Sequence, residues 1–381
     1  MQPIIYLHIG ESKTGTSIIQ NFLNVNRQKL VKEVGYLYPN FSSESFVRGR
    51  CHNHADWYYT SIKNDSTNFF KDMHALLEFC QAKKIENILL SNEGWLLSKN
   101  TTPIFGEFLN KNPDVKIIII AYLRRIDTWI ESGWKQWGLK VHDSIEEYAN
   151  TPFVKHKYKR ILDHLQEWET LIGKQNMIIR PYEKSQLPGG LIKDFLNQVG
   201  IKYEDHIWNQ TEDTNLAKNY GFNRDVLEIL HACRELYASQ HDNHLFDTFS
   251  ELLRDKFQKK PFESYQLLSP KQRWDLIEYN QQYEHEIARR YMGRPDGKIF
   301  LNPLPELDEA WEPYEGLNME TAIPILVEMI HQEHLKIKRM NRRLINLSKK
   351  VQRLSSPNKK QSTKVQNENS KKSIFRKLKD I

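Results

Sequence analysis

Cysteine is nearly missing from this 381-residue chain: Cys51, Cys80 and Cys233 are odd in number, widely spaced and outside any CxxC pair. That argues against a disulfide framework and against a cysteine-ligated zinc site, and the three are expected to be ordinary reduced thiols. Long hydrophobic runs are missing as well. The longest, IIIIAYL at 117–123, falls far short of the roughly 20 residues that cross a bilayer. The opening MQPIIYLHIG has no basic n-region and no small-residue cleavage site, so it reads as a core strand and not as a signal peptide. No aspartate cluster demands a metal, and no internal repeat is present. A cytoplasmic protein without a metal is the expectation.

What is present is a globular composition, 39% hydrophobic and 27% charged, long enough to bury an ample core. The net charge of +7 hides an asymmetry. Lys336–Ile381 holds 16 Lys/Arg against two acids, Glu368 and Asp380; the remainder holds 39 basic and 46 acidic residues, a net −7. The sequence pI of 9.0 therefore describes a tail, and gives no support to a nucleic-acid-binding body.

Short β-rich runs recur between helical stretches: 4–9, 36–39, 87–91, 116–123 and 176–180. Two of them are continuous apolar runs, as in strands covered by helices on both faces, which predicts an α/β fold with a three-layer parallel sheet. Residues 222–258 and 270–292 read as helical, the second with a Ser N-cap and Pro at its first position. The expected organisation is an α/β domain over 1–300, a Pro-rich connector over 301–318, a helix over 319–355 and a basic, disordered tail over 356–381. That last helix has an apolar side suited to packing on the body or on another copy. The end of the tail, KKSIFRKLKDI, places Ile374, Phe375 and Leu378 among basic residues, which suits peripheral contact with an anionic membrane at its inner face.

The first strand runs into GESKTGTS and then into a helix with Ile18, Ile19, Phe22 and Leu23 on one face. A glycine-containing turn into a helix N-terminus, beyond the carboxyl end of a parallel strand, is an anion site. Amides around Gly15, Thr16 and Ser17 would face the anion, with Lys13 adding a full charge. The nucleoside-triphosphate loop G-x-x-x-x-G-K-S/T does not fit, because Lys13 precedes Gly15.

KTGTS after a short strand instead resembles the 5′-phosphosulfate loop of the sulfotransferases that use 3′-phosphoadenosine 5′-phosphosulfate (PAPS), whose members carry K-S/T-G-T-S/T. The resemblance extends over about residues 4–300 and is closest to bacterial, polysaccharide-modifying members, with fainter matches at GYLYP, LLSNEGW, IIRPYE and GRPDG. It implies a P-loop/sulfotransferase type of sheet and a cofactor site at Lys13, Thr14, Gly15, Thr16 and Ser17. It also implies a 3′-phosphate site at Arg124, which ends a strand, and Ser132 eight residues on. Thr128 with Glu131 suggests a capping box that starts the intervening helix. Arg125 is the neighbouring alternative, but successive strand residues point to opposite faces. Arg294 resembles a further position near the 3′-phosphate, and could equally be a structural arginine of a turn.

The resemblance further implies that Lys13 stabilises charge on the departing 5′-phosphate. Two bases compete for the acceptor proton: Glu93, at a strand end in SNEGW, and His54, or less favourably His52, in CHNHADWYY. Histidine titrates near neutrality, whereas Glu93 would need lifting by burial. His8, inside the first strand, reads as a packed residue. Trp57, Tyr58, Tyr59, Trp95, Trp134 and Trp137 lie near these segments and fit either sugar stacking or core packing. The expected function is sulfuryl transfer to a hydroxyl or amine of a bacterial surface or capsular glycan. The alternatives are a P-loop kinase of a small molecule and a non-catalytic nucleotide-site scaffold that binds membrane or partner through its tail.

Overall fold

The computed structural model describes residues 3–49, 51–206, 208–209, 222, 224–253, 266–314 and 316–355. Five strands form at the five expected runs: β1 Ile4–His8, β2 Tyr36–Leu37, β3 Asn87–Ser91, β4 Lys116–Leu123 and β5 Met177–Pro181. They make one wholly parallel sheet in the order β2-β3-β1-β4-β5. Strand alternation explains the two cores. Ile5, Leu7, Leu90, Ile119 and Ala121 enter one, with Trp95 and Trp168; Leu89, Ile120 and Tyr122 enter the other, with Ile19, Leu23 and Phe195. With both faces covered by helices, the architecture is a three-layer α/β sandwich.

β1 lies in the middle, with Leu7 opposite Leu90 on one side and Ile119 on the other. From β1 the chain passes to one side for β2 and β3, then crosses over to lay down β4 and β5. The topology therefore divides at the carboxyl end of β1, and the crevice there receives the segments that follow β1, β3 and β4.

The Pro270–Tyr291 helix starts as its sequence requires: Ser269 accepts from the Gln272 amide, Gln272 reaches back to the Ser269 amide, and Pro270 occupies the first turn. It packs on the Lys157–Ile172 and Ile126–Trp134 helices behind β4. The helix expected over 222–258 divides instead into Arg224–Ala232 and His244–Leu253. The first helix gives way to a tight turn at Arg234–Leu236, and Asp242, accepting from the Ala238 and His244 amides at 3.0 Å each, starts the second. Residues 254–258 lie outside the described residues.

The connector is tied to the body through Arg125 to the Pro303 carbonyl, Trp311 to the Gln266 carbonyl and Tyr314 to Asp225. The final helix spans Met319–Ser355 and seats Ala322 and Ile325 against the body. The basic tail and its expected membrane contact lie outside the described residues. Among the described residues no helix is long and apolar enough to cross a membrane.

Candidate functional site

The loop after β1 is shaped by two left-handed glycines and one left-handed lysine. Gly10 has φ +50° and would bring a Cβ within 3.3 Å of the Glu93 Cα, so its lack of a side chain lets the loops after β1 and β3 touch. Gly15, φ +77°, starts the Thr16–Val25 helix, and a Cβ there would overlap Leu191 Cδ2 and press on Tyr182. Lys13 has φ +69°, which costs a non-glycine residue about 1–2 kcal/mol. Thr14 and Thr16 turn their hydroxyls inward onto the Glu11 carbonyl, at 2.5 and 3.3 Å. Ser17 is exposed, and no side chain caps the helix, so the first-turn amides and the positive dipole end face the crevice.

Arg124 follows the last residue of β4 and joins this loop directly. Its amide donates to Glu11 Oε2 at 2.8 Å, its Nη1 to the Lys13 carbonyl at 2.9 Å and its Nε to Thr128 Oγ1 at 3.2 Å. Nη2 has no acceptor among the described residues. Ser132 stands one turn beyond Thr128 on the same side of the Ile126–Trp134 helix. Arg125 points away, forked on Asp127 with two bonds of 2.9 Å. Lys13 and Arg124 thus line one cleft, and Arg124 rather than Arg125 faces it.

The helix after β4 does not begin with the Thr128–Glu131 capping box. It starts at Ile126 with Arg125 in the cap position. Thr128 donates to the Arg125 carbonyl, and Glu131 accepts from the Leu267 and Leu268 amides. Only two residues separate the strand end from the helix, so the first turn forms before Thr128 is reached.

Sequence reasoning missed the pair that holds this arrangement. Glu11 and Lys157, both almost fully buried, meet at 2.7 Å. Lys157 also donates to the Arg124 carbonyl at 2.7 Å, and Tyr158 donates to the same carbonyl at 2.9 Å. Residue 124 is therefore gripped at its amide, its carbonyl and its guanidinium. Burial pushes the Glu11 carboxyl up and the Lys157 ammonium down, and each partner's charge works against that shift. Glu11 could have been suspected, as an acid inside an anion loop; nothing local marks Lys157.

The cleft gathers cations, with Glu93 acting on Lys13 and Glu131 on Lys135. Lys13 Nζ contacts Gln136 Oε1 at 2.5 Å, beside the Trp137 ring. Burial and then Arg124 lower its pKa to about 8, while Glu93 pulls it back up. Lys135 is also lowered, by burial and by Arg124 and Arg224, against the pull of Glu131. Cations that repel one another in a partly dry cleft favour an anion between them. The Glu93 carboxyl is raised by desolvation against the cleft wall and restrained by Lys13; the residue as a whole stays open to solvent, so the shift is a screened one.

His54 is not placed to act as a base. Its ring is fully buried, Nδ1 accepts the Ser91 amide at 3.0 Å, and Nε2 lies 2.9 Å from the Pro39 carbonyl. Burial lowers its pKa to about 4. The neutral ring staples the exit of β2 to the end of β3, with both nitrogens engaged. His52 is exposed. His8 is buried with Nδ1 on Ser91 Oγ at 2.9 Å, a packed histidine as its strand position suggests. Arg294 spends its fork on the Lys298 and Ile299 carbonyls and on Gln186, beside β5, and among the described residues makes no bond to the Lys13 loop or Arg124. Of the aromatics, Tyr58, Trp95 and Trp134 are core residues and Trp57 stacks on Phe41. Tyr59, 45% exposed, reaches over Gly94, leaving it and Trp137 beside the cleft.

No protein-family model matches the chain. An uncharacterised protein of Archaeoglobus fulgidus is 33% identical over 118 residues, 30% of this chain and 30% of that protein's length. Among solved structures, a sulfotransferase from Alicyclobacillus acidocaldarius is similar with a TM-score of 0.33 and 14% identity, over 61% of this chain and 94% of that one.

Removing one partner of the buried pair leaves the other charge stranded. Lys157→Met is expected to cost about 3–5 kcal/mol in denaturant unfolding, and Glu11→Met with Lys157→Met to restore part of that loss. A double loss equal to the sum of the Glu11→Met and Lys157→Met losses would show that the pair carries no coupling.

Proposed function

We propose that this protein is a sulfotransferase that moves a sulfuryl group from PAPS to a hydroxyl or amine of a carbohydrate acceptor, a bacterial surface or capsular glycan. The observation that carries the reading is the 2.9 Å bond from Arg124 Nη1 to the Lys13 carbonyl. It puts the two segments that resemble the 5′- and 3′-phosphate sites of such enzymes on one cleft. The residues fit a doubly anionic nucleotide: a side-chain-free turn at Gly15, uncapped helix amides, and an Arg124 whose Nη2 has no acceptor among the described residues and whose partner Thr128 lies one helical turn before Ser132. Tyr59 and Trp137 give the same cleft apolar faces suited to a sugar ring.

PAPS supplies the activated sulfuryl group. The chain's own residues position and neutralise, as in phosphoryl transfer. Amides of Gly15, Thr16 and Ser17 hold the 5′-phosphate, and Arg124 with Ser132 holds the 3′-phosphate. Lys13 stabilises the charge left on the bridging oxygen as the S–O bond to the 5′-phosphate breaks. Glu93 takes the proton of the acceptor as its oxygen or nitrogen bonds to sulfur; desolvation against the cleft wall shifts its carboxyl in the direction that makes it a better base.

Calorimetric titration is expected to show adenosine 3′,5′-bisphosphate binding in preference to ADP and ATP, with Arg124→Ala weakening it about 10- to 100-fold. Equal affinity for all three nucleotides would overturn the reading. Lys13 adds a pH dependence. Only its protonated form attracts the anion, and its pKa in the free protein is about 8. Affinity should therefore be steady from about pH 7, above the second ionisation of the ligand's phosphates, up to that value and fall by up to about tenfold per unit above it, a slope that Lys13→Met removes. With PAPS and an acceptor glycan, Glu93→Gln should lower kcat by about 10²–10⁴ while leaving bisphosphate affinity within a few-fold; an unchanged kcat would remove Glu93 from the chemistry.

A further inference from the structure

The Met319–Ser355 helix carries an apolar stripe that the body does not cover. Ala322 and Ile325 are buried against the body, and Lys336 pairs with Glu251 at 2.8 Å; every residue from 337 to 352 is exposed. The stripe follows steps of three and four. Ile323, Ile330, Ile337, Leu344 and Val351 recur every seventh residue, and Leu326, Glu333, Met340 and Leu347 follow each of the first four by three. The apolar members of both sets are 42–71% exposed. A strict seven-residue repeat drifts around a straight helix and stays on one seam only in a left-handed supercoil. A solitary helix projecting into water has little to stabilise it, since most helical stability comes from packing an apolar face.

We propose that this helix pairs with the same helix of a second copy, in parallel and in register, as a two-stranded coiled coil. Three features favour that occupant. Isoleucine and valine fill four of the five positions of the first set and leucine two of the four of the second, a bias toward two parallel strands. The flanking positions agree: Lys336 and Arg343 would face Asn341 and Ser348 of the next heptad across a parallel seam, cation against neutral. An antiparallel seam would set Lys336, Arg343 and Lys350 against one another. The repeat runs for four heptads, a length of about 42 Å, enough for a stable seam. Glu333, the one polar member, interrupts the stripe and lies 3.8 Å from Lys336 of its own helix; a single polar core position sets register at some cost in stability. The pairing gathers both α/β bodies at one end of a short stalk.

Light scattering or sedimentation of the full chain at micromolar concentration tests this. The expected mass is twice the 45.3 kDa of the chain. Leu344→Glu with Leu347→Glu, exposed positions beyond the body's contacts, should return it to a monomer with the far-UV spectrum of the body intact. In a Cys233→Ser background, which removes the partly exposed cysteine and leaves Cys51 and Cys80 buried, Ile337→Cys should cross-link to itself under mild oxidation, while the same background without it should not. A monomeric full chain, a dimer indifferent to the two glutamates, a trimer, or a dimer that does not cross-link at 337 would each overturn the proposal. So would a monomer whose helix binds anionic vesicles, since that assigns the stripe to lipid.

Discussion

Everything in the crevice depends on a buried carboxylate meeting a buried ammonium. Glu11 belongs to the loop after β1 and Lys157 to a helix behind β4, and Arg124 is held between them by its backbone. Two charges removed from water at this depth are expensive, and their mutual attraction offsets the cost only where the remaining donors and acceptors are also satisfied. Here the second Glu11 oxygen takes the Arg124 amide, and the Arg124 carbonyl takes both Lys157 and the Tyr158 hydroxyl. The network fixes the distance between the loop and the end of β4, and with it the width of the cleft.

That rigidity explains how the chain tolerates an unfavourable local arrangement. A left-handed lysine, mutually repelling cations and a helix without a side-chain cap would each destabilise an ordinary surface loop. They persist where surrounding structure leaves the loop no alternative: Trp129 clamps the Ser12 carbonyl, Thr14 and Thr16 close on Glu11, and Gly15 packs under Tyr182 and Leu191. The consequence is a cleft whose positive charge is prepared before any ligand arrives, so little reorganisation remains to be done on binding.

The sheet was legible in the sequence because continuous apolar, β-branched runs such as KIIIIAYL admit few other fates, and the Ser269–Pro270 start of its helix obeys local chemistry. The passage from β1 through a glycine-shaped turn into a helix was legible for the same reason: Gly10 and Gly15 stand where the backbone turns left-handed, and apolar residues resume at helical spacing from Ile18. Other features depended on tertiary placement. The same loop position can leave a histidine exposed, like His52, or bury it between strands, like His54, and sequence carries no mark of which. The Thr-x-x-Glu pattern at 128–131 satisfied a capping rule, yet the closeness of β4 moved the helix start upstream. The run over 222–258 kept a helical pattern in sequence, yet the chain leaves the helix after Ala232 and re-enters it only where Asp242 holds the Ala238 and His244 amides. Lys157 joins Glu11 only because the sheet order brings β1 and β4 side by side.

The central claim is that one nucleotide lies across this cleft, gripped at both charged ends. A crystal structure of the protein with adenosine 3′,5′-bisphosphate tests it most directly. The account requires the 5′-phosphate on the amides following Lys13 and the 3′-phosphate on Arg124 and Ser132 of the same molecule. A nucleotide bound elsewhere, or one whose 3′-phosphate points away from Arg124 into solvent, would contradict it.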